Sequence, residues 1–326
     1  MNPKKPKEIP SKIWKHFFEV DKVKSVVSIY SCSPVFKINY NDTDYVLKQT
    51  RSPIQDGQSI IKWAQSLNSY ISIVTASNFG VKNPIEYEED VWVIYPFISG
   101  VKYTATHLQI KQAGELLGKI HASNFYNHKL PKFSFPDEVN YDSFLEDYEN
   151  IKISLKKNQL KLSDQLDKQL LKSFHQFESL VKKLSLLANN KSVQWVNCTW
   201  DYKANNLIYH RNKQPTLIDP DNGGHIPRIF DLALCVLLFH NECSSAPSQL
   251  FSKQQWQIFF NAYKKQITLS DIEISLWFDA LEFMFLDEAI WLLGNDDDGW
   301  KNKHQGQFLF RLLNEFLNLK DITFDY

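Results

Sequence analysis

The stretch from Val193 to Leu234 constrains the fold more than any other part of the chain. It contains three short β-rich runs, Val193 to Val196, Asn206 to Tyr209 and Pro215 to Ile218, and its polar residues stand where these runs end. Loops held between rigid strands are common places for functional side chains. We therefore predict a strand hairpin that carries a cluster of polar groups, with the rest of the chain folded as its support.

Three residues of this stretch have side chains suited to phosphoryl transfer: Asp201, Asn206 and Asp219. One carboxylate can accept the proton of an attacking hydroxyl, while an amide oxygen and a second carboxylate can hold Mg²⁺ on the phosphates. No cluster of His or Cys in the sequence offers a softer metal site. The pattern also has a simpler interpretation, because Asp and Asn favour turns on any fold.

The segments TWDYKANN and IDPD resemble the catalytic and metal-binding loops of kinases. The nearer resemblance is to the aminoglycoside phosphotransferase and choline kinase-like small-molecule kinases, which have a loop of the form H-G-D-x-H-x-x-N, an I-D-W-D-like strand end and a D-L-A helix start, here at Asp231. The resemblance implies that Asp201 is the catalytic base and that Lys203 contacts the transferred phosphate. It also implies that Asn206 and Asp219 bind Mg²⁺ and that Asp231 anchors the loop.

Two residues before the proposed base depart from the family pattern. Thr199 stands in place of the usual His, and Trp200 stands in place of Gly or Arg. These departures bear on the geometry of the loop and leave the proton-accepting carboxylate in place. Near the loop, the residues that we assign to acceptor binding are Trp200, Asp221 and Arg228.

The N-terminal part predicts a β-meander, with runs at Ser25 to Tyr30, Val35 to Tyr40 and Tyr45 to Gln49. In kinases the turn between the first two strands covers the nucleotide phosphates; here it contains no glycine, and hydroxyl groups are provided by Ser31 and Ser33. Lys48 ends an apolar strand, as does the kinase lysine that pairs with nucleotide phosphates. The following predicted helix, Pro53 to Leu67, has no Glu to pair with this lysine, so either Asp56 or Gln58 substitutes or the lysine is held by another group.

A second predicted hairpin leads into the segment that resembles the interlobe hinge of small-molecule kinases. Its strands are Ile85 to Tyr87 and Val91 to Phe97. A hinge offers backbone amide and carbonyl groups to an adenine edge, and the nearby Pro and Gly prevent regular structure from continuing. The nucleotide-binding residues that we assign here are Tyr95, Phe97 and Ile98.

The remaining chain predicts mainly helices, because its apolar residues recur at helical spacing. The predicted helical segments are His107 to Ser123, Tyr141 to Leu187 in two or more helices, Phe230 to Phe239, Lys253 to Lys265, Asp271 to Leu293, and Gln305 to Leu319. The first of these resembles the G-x-x-L-G-x-x-H helix of the same kinase group, and we expect its His121 to be structural. An acidic loop is predicted between the last two helices.

In kinases of this group the acceptor lies near the base and is bounded by the C-terminal helices. This chain places acidic and aromatic residues in that region: Asp287, Glu288, Asp296, Asp297, Asp298 and Trp300. Carboxylates beside an aromatic face attract an ammonium group through Coulomb and cation–π interactions. We therefore expect an amine-bearing acceptor; the alternative is that Asp296 to Asp298 only solvate a turn between helices.

Opposite charges balance, with 37 Lys and Arg residues, 37 Asp and Glu residues and a net charge of +0. No global basic field is present to bind nucleic acid or an anionic membrane. The start of the chain lacks a signal-peptide core, and the longest apolar run, Leu232 to Phe239, is too short to cross a bilayer. We expect a cytoplasmic monomer or homodimer without nucleic-acid or membrane partners.

The four cysteines lack C-x-x-C spacing and are expected to be reduced; Cys198, beside the proposed base, is either a packing residue or a reactive one.

These observations and the resemblance predict an α+β, two-lobed, protein-kinase-like fold, with a small β-rich N-lobe over residues 1–97 and a larger, mainly helical C-lobe over residues 98–326. The implied activity uses ATP (or GTP) and Mg²⁺ to phosphorylate a hydroxyl of a small molecule. That acceptor is an aminoglycoside-like antibiotic, which would make the chain a resistance enzyme, or an amine-bearing metabolite; a kinase of the choline or homoserine type is an alternative.

Three other functions stay open on the sequence alone. A pseudokinase is favoured by the missing glycines, the missing helix Glu and Thr199. A protein kinase would need a peptide-binding segment ending in A-P-E, and none lies between Asp219 and Asp231. A metal-dependent hydrolase could use the same carboxylates.

Overall fold

The structure is a computed structural model that describes residues 9–23, 25–30, 33–50, 52–123, 130–136, 138–189, 191, 193–211 and 213–324. Ser31, one of the predicted phosphate-binding residues, lies outside these ranges. The N-terminal elements are α1 (Ser11–Phe18), β1 (Ser25–Ser28), β2 (Val35–Tyr40), β3 (Thr43–Thr50), α2 (Ile54–Leu67), β4 (Ile85–Tyr87) and β5 (Asp90–Pro96).

The five strands form one antiparallel sheet in the order β1-β2-β3-β5-β4. Helix α1 covers part of this sheet because its apolar residues recur at helical spacing, and Trp14 and Phe18 pack with Leu47 and Trp92 in a small core. The predicted meander and hairpin are therefore both present, and β3 and β5 lie side by side at its centre.

Helix α2 packs against the C-terminal part of the molecule. Its Trp63 and Leu67 belong to the large core that is formed mainly by the C-terminal helices. After the helix, the Val74 amide donates to the Leu217 carbonyl at 2.8 Å, and the Leu217 amide donates to the Ser72 carbonyl at 2.9 Å. The predicted division at residue 97 therefore stays a prediction, because α2 precedes it in the chain but shares the core of the larger part.

The C-terminal part is mainly helical. Its elements are α3 (His107–Ala122), α4 (Tyr141–Lys157), α5 (Asp164–Ala188), β6 (Trp195–Cys198), β7 (Leu207–His210), β8 (Lys213–Leu217), β9 (Gly224–Pro227), α6 (Arg228–Leu238), α7 (Lys253–Tyr263), α8 (Asp271–Ser275), α9 (Trp277–Met284), α10 (Ile290–Asn295), α11 (Asp297–Lys301) and α12 (Lys303–Glu315). Together with the sheet they confirm the predicted α+β architecture, a small antiparallel sheet and a larger helical lobe.

Helices α3 and α7 lie unusually close together. A Cβ at Gly114 would lie 2.1 Å from the Phe259 carbonyl oxygen, and one at Gly118 would lie 2.7 Å from that of Tyr263. Only glycine allows this approach. A capping box, in which Thr106 and Gln109 bond each other's backbone, fixes the start of α3.

Three local features differ from the sequence prediction. The single helix predicted over Asp271 to Leu293 is divided into α8, α9, a π-helical turn at Phe285–Ala289, and α10. The predicted acidic loop is helix α11, and the Asp296 side chain caps it by accepting from the Gly299 amide at 2.8 Å. Strand β9 was not predicted and pairs with β6. Within the described ranges, no helix is long and apolar enough to cross a bilayer.

Candidate active site

The loop after β6 contains the proposed base. Asn206, in a short 3₁₀ turn, donates from Nδ2 to the Asp201 carbonyl at 2.9 Å and to Asp201 Oδ2 at 3.1 Å. These two bonds fix the Asp201 carboxylate relative to its own backbone. Because the amide nitrogen makes both, the Asn206 oxygen is the atom left to accept a metal.

Asp219 follows β8 and faces the lysine of β3. Lys48 Nζ lies 2.5 Å from Asp219 Oδ1 and 2.9 Å from Asp221 Oδ2, so its ammonium lies between two carboxylates. Burial alone lowers the pKa of Lys48, but the two carboxylates outweigh it and raise that pKa above its usual value. The lysine is thus paired with the segment that follows β8 and not with Asp56 or Gln58 of α2, which is the second of the two alternatives left open by the sequence.

Asp221, assigned from the sequence to acceptor binding, has a supporting position instead. It is buried, and its Oδ1 accepts from the Tyr95 hydroxyl at 2.5 Å. Its carbonyl accepts from the Ser52 hydroxyl at 2.7 Å. Tyr95, assigned to nucleotide binding, is also buried and is connected to Lys48 through Asp221.

Lys203 links the base to a residue that sequence reasoning did not identify. Its Nζ lies 3.2 Å from Asp201 Oδ1 and 2.8 Å from Glu242 Oε2. Glu242 Oε1 accepts from the Tyr30 hydroxyl at 2.7 Å. Burial raises the pKa of Asp201 above its usual value, although the ammonium of Lys203 acts in the opposite direction.

His121, Asp231 and Tyr263 form a buried polar cluster. Asp231 Oδ2 lies 2.7 Å from His121 Nε2, and His121 Nδ1 lies 2.9 Å from the Tyr263 hydroxyl. These bonds join α3, α6 and α7 and agree with a structural role for His121. Burial and the charge of Asp231 raise the pKa of Cys198 well above its usual value, so this thiol stays protonated and unreactive.

The connection between β5 and α3, predicted from the sequence to be a hinge, has a short run of backbone without backbone partners. The Phe97 amide donates to the Asp44 carbonyl at 3.0 Å, and Lys37 Nζ lies 4.0 Å from the centre of the Phe97 ring. Val101 pairs with Tyr209 through both its amide and its carbonyl. Between them, residues 98–100 make no backbone–backbone hydrogen bond with any other described residue. Ile98 is half-buried against the Tyr95 cluster, and Ser33 is half-buried before β2.

Sequence comparison identifies the family to which this geometry belongs. The model of the "Phosphotransferase enzyme family" matches residues 31–257, from the turn before β2 to α7. The chain belongs to the phosphotransferase enzyme family. As a member it is a small-molecule phosphotransferase. No curated protein matches the chain by sequence.

Solved structures share the family fold over nearly the whole chain. A microcompartment-associated aminopropanol kinase is 12% identical with a TM-score of 0.63, and the match covers 94% of this chain and 96% of that one. Choline kinase LicA from Streptococcus pneumoniae is 16% identical with a TM-score of 0.59 and coverages of 95% and 98%. Spectinomycin phosphotransferase APH(9)-Ia, solved with ADP and spectinomycin, is 13% identical with a TM-score of 0.52 and coverages of 95% and 96%. At these identities the similarity shows the fold, and it confirms the predicted protein-kinase-like class.

Two half-buried carboxylates of this phosphotransferase lie next to the proposed base. Asp287 and Glu288 project from the π-helical turn, and Glu288 accepts a hydrogen bond from the Trp200 side chain. Burial raises the pKa of Asp287 to about 6, and burial together with the charge of Asp287 raises that of Glu288 to about 7. Neither carboxylate forms an ion pair with any Lys, Arg or His among the described residues. The ring centre of Trp200 lies 5.5 Å from that of Phe133.

Other residues assigned to the acceptor have different places. Arg228 is buried and donates from Nε and Nη2 to both Glu273 oxygens, at 2.7 and 2.6 Å. Trp300 is only 3% exposed, and its Nε1 donates to the Leu293 carbonyl at 2.8 Å, so its ring is in the core. The polar groups of Arg228 and Trp300 are thus engaged in contacts within the C-terminal part. Asp296 caps α11, while Asp297 and Asp298 are exposed on that helix.

The donor atoms near Asp219 fit Mg²⁺. Asn206 provides an amide oxygen and Asp219 provides a carboxylate, both hard ligands. Asp221 Oδ2 is buried without an aligned hydrogen bond, although Lys48 lies close to it. Within the described part of the chain, no three His, Cys, Asp or Glu side chains form a group that could hold a metal, so a metal here would be shared between the protein and phosphate oxygens, as Mg²⁺ usually is.

Proposed function

We propose that this phosphotransferase transfers the γ-phosphoryl group of ATP or GTP to a hydroxyl of an amine-bearing small molecule. The observation that carries this proposal is the Asp287–Glu288 pair, which has no cationic partner among the described residues and is linked to the base loop through Trp200. An ammonium group bound there would neutralise two half-buried carboxylates while its own hydroxyl lies near Asp201.

In this proposal Asp201 accepts the proton of the acceptor hydroxyl. The hydroxyl oxygen forms a bond to the γ-phosphorus, and the bond from that phosphorus to the bridging oxygen of the nucleotide breaks. The raised pKa of Asp201 makes it a better proton acceptor than an exposed carboxylate. Asn206 orients the base through its two hydrogen bonds.

The nucleotide would bind between the sheet and the helical part. Lys48 and Lys203 are the cations available to its phosphates, and the free backbone of residues 98–100 is available to its base. Asn206 and Asp219 would hold Mg²⁺, which neutralises phosphate charge when it is bound. The phosphates would then replace part of the contact that each lysine now makes with carboxylates.

The structural relatives are in line with an amine-bearing acceptor. Their names give aminopropanol, choline and spectinomycin as substrates or ligands, and all three compounds carry a hydroxyl together with an amine or a quaternary ammonium group. If the acceptor is an aminoglycoside-like antibiotic, the protein is a resistance enzyme; if it is an amino alcohol, the protein is a metabolic kinase.

A panel experiment tests this function. Amino alcohols, choline, homoserine, aminoglycosides and spectinomycin are each incubated with the protein, Mg²⁺ and either ATP or GTP, and nucleoside diphosphate and phosphorylated product are measured together. Each acceptor is paired with an analogue in which the amine is replaced by a hydroxyl. We expect transfer to an amine-bearing member and at least about tenfold weaker kcat/KM for its analogue. Nucleotide binding without transfer to any acceptor would indicate a pseudokinase.

A further inference from the structure

Glu242 lies where the sheet and the helical part meet at the proposed site. It follows α6 and contacts two residues that are distant in the sequence, Lys203 of the base loop and Tyr30, which lies two residues after β1. Its two carboxylate oxygens are divided between them, with Oε2 at 2.8 Å from Lys203 Nζ and Oε1 at 2.7 Å from the Tyr30 hydroxyl. One side chain thus joins the two parts of the molecule.

The backbone around Glu242 is held in a costly conformation. Its φ is 57°, in the left-handed region that residues other than Gly rarely adopt. The Glu242 amide donates to Gln305 Oε1 at 3.0 Å, and Gln305 Nε2 donates to Asn241 Oδ1 at 2.7 Å. A buried glutamine therefore fixes the turn that carries Glu242. Strained residues of this kind persist where surrounding structure holds them and are frequent near active sites.

The charges at this point form an alternating row. Asp201, Lys203 and Glu242 are mostly buried, with side-chain exposures of 27%, 14% and 23%. Without Glu242, the Lys203 ammonium would have Asp201 as its closest carboxylate and would hold that carboxylate more strongly in its ionised form. Burial opposes ionisation of Glu242, but Lys203 and Tyr30 outweigh it and lower the pKa of Glu242. It is therefore charged at neutral pH.

We propose that Glu242 is a positioning residue for phosphoryl transfer, which holds Lys203 beside Asp201 and ties this pair to the N-terminal sheet through Tyr30. It acts on the reacting groups only through Lys203. This inference rests on the proposed function, because it assigns a role within that transfer.

The decisive variant is Glu242→Gln, which preserves the shape of the side chain and its capacity to accept from Tyr30. A matched control is Glu178→Gln, which removes a carboxylate 2.6 Å from an exposed lysine, Lys182, on α5. We expect kcat to fall about tenfold to a hundredfold in Glu242→Gln, by analogy with residues that orient metal ligands. Glu178→Gln should keep the wild-type kcat.

A second readout does not depend on turnover. Lysine acylation by acetic anhydride, quantified by peptide mass spectrometry across a pH series, reports the fraction of each amine that is neutral. Glu242→Gln should lower the pKa of Lys203 and raise its acylation rate severalfold at a fixed pH, while Lys48 serves as an internal reference and stays unchanged. Wild-type acylation of Lys203 in Glu242→Gln would overturn the proposal.

Tyr30→Phe provides a further test if Glu242→Gln fails to fold. It removes one partner of Glu242 without changing a charge, so kcat/KM for the nucleotide should fall severalfold while Lys203 acylation changes little. An unchanged kcat/KM would overturn the part of the proposal that connects Glu242 to the sheet through Tyr30. If the wild-type protein transfers phosphate to no acceptor, the proposed function fails, whereas the acylation result still reports whether Glu242 holds Lys203.

Discussion

Two residues at the site, Trp200 and Asp219, have φ angles of 52° and 59°. Such conformations cost a non-glycine residue about 1–3 kcal/mol, so the surrounding contacts must hold them in place. Trp200 is held by its hydrogen bond to Glu288 and by Phe133, and Asp219 is held by Lys48. Trp200 stands where the family motif has glycine. Its positive φ is a backbone conformation that glycine adopts at no cost.

The first prediction at this scale concerns the base. Asp201→Asn should lower kcat by about 10²–10⁴-fold, the usual contribution of a general base. Its nucleotide affinity should stay near that of the wild type, because Asn206 and Asp219 are the proposed metal ligands. Steady-state kinetics with the best acceptor and calorimetric nucleotide titrations measure the two effects. Turnover by Asp201→Asn at the wild-type rate would contradict the assignment.

The second prediction concerns Glu288, whose pKa is raised to about 7. Its ionised fraction grows only as the pH rises through that value, so kcat/KM for a cationic acceptor should fall as the pH falls below about 7. In Glu288→Gln the part of this limb that is centred near pH 7 should disappear, and the acceptor KM should rise at least about tenfold, with the KM for ATP unchanged.

The same shift has a consequence for stability. The folded protein keeps a proton that the unfolded chain, with a pKa of 4.5, has released, so the contribution of Glu288 to stability falls as the pH rises from 4.5 to about 7. In thermal melts, the melting temperature of Glu288→Gln should rise relative to that of the wild type as the pH increases across that range. A constant difference between the two melting temperatures would argue against the raised pKa.

At the scale of elements, the π-helical turn Phe285–Ala289 decides where the acceptor-side carboxylates lie. π-turns inside helices are rare and occur often at functional sites. The sequence predicted helix through this region, because its aromatic and aliphatic spacing continues unbroken from Asp271 to Leu293, and apolar spacing does not reveal where a helix changes its hydrogen-bond pattern. It correctly predicted most strands and helices, whose signals are local.

The missed features have signals that are not local. Strand β9 has the sequence GHIP, which is too short and too rich in Gly and Pro to predict a strand, and it becomes one by pairing with β6. Glu242 contacts residues 39 and 212 positions away in the sequence, so no local pattern predicts its place. Lys48 was correctly picked out as a paired lysine, but its partners come from the other side of the cleft.

The third prediction is that the acidic residues of α11 do not bind the acceptor. Asp296→Ala should lower the free energy of unfolding by about 1 kcal/mol through loss of the helix cap. Changing Asp297 and Asp298 to Asn should alter stability little, because both are exposed. In all these variants the acceptor KM should equal that of the wild type. A raised acceptor KM in the Asn variants would contradict this prediction and indicate that α11 contributes to acceptor binding.

At the scale of the whole molecule, Lys48 ties the sheet to the metal-binding loop. The fourth prediction is that Lys48→Ala lowers the free energy of unfolding by about 3 kcal/mol, because Asp221 is left buried without a cation. This loss of stability is at the low end of what breaking a buried ion pair costs, because the Asp219 side chain is 40% exposed. Nucleotide affinity should fall as well. Denaturant titration and calorimetry measure the two changes, and Lys182→Ala, which removes an exposed lysine of α5, is the control.

The docking of α2 into the large core bears on whether this protein can be switched. In protein kinases, activity is turned on and off by moving the corresponding helix, whose Glu must reach the strand lysine. Here that lysine is already paired by Asp219 and Asp221, and α2 contributes Trp63 and Leu67 to a core that would have to open before the helix could move. We therefore expect a constitutive catalyst, whose rate in the cell follows the supply of its two substrates and not a regulatory state of the fold.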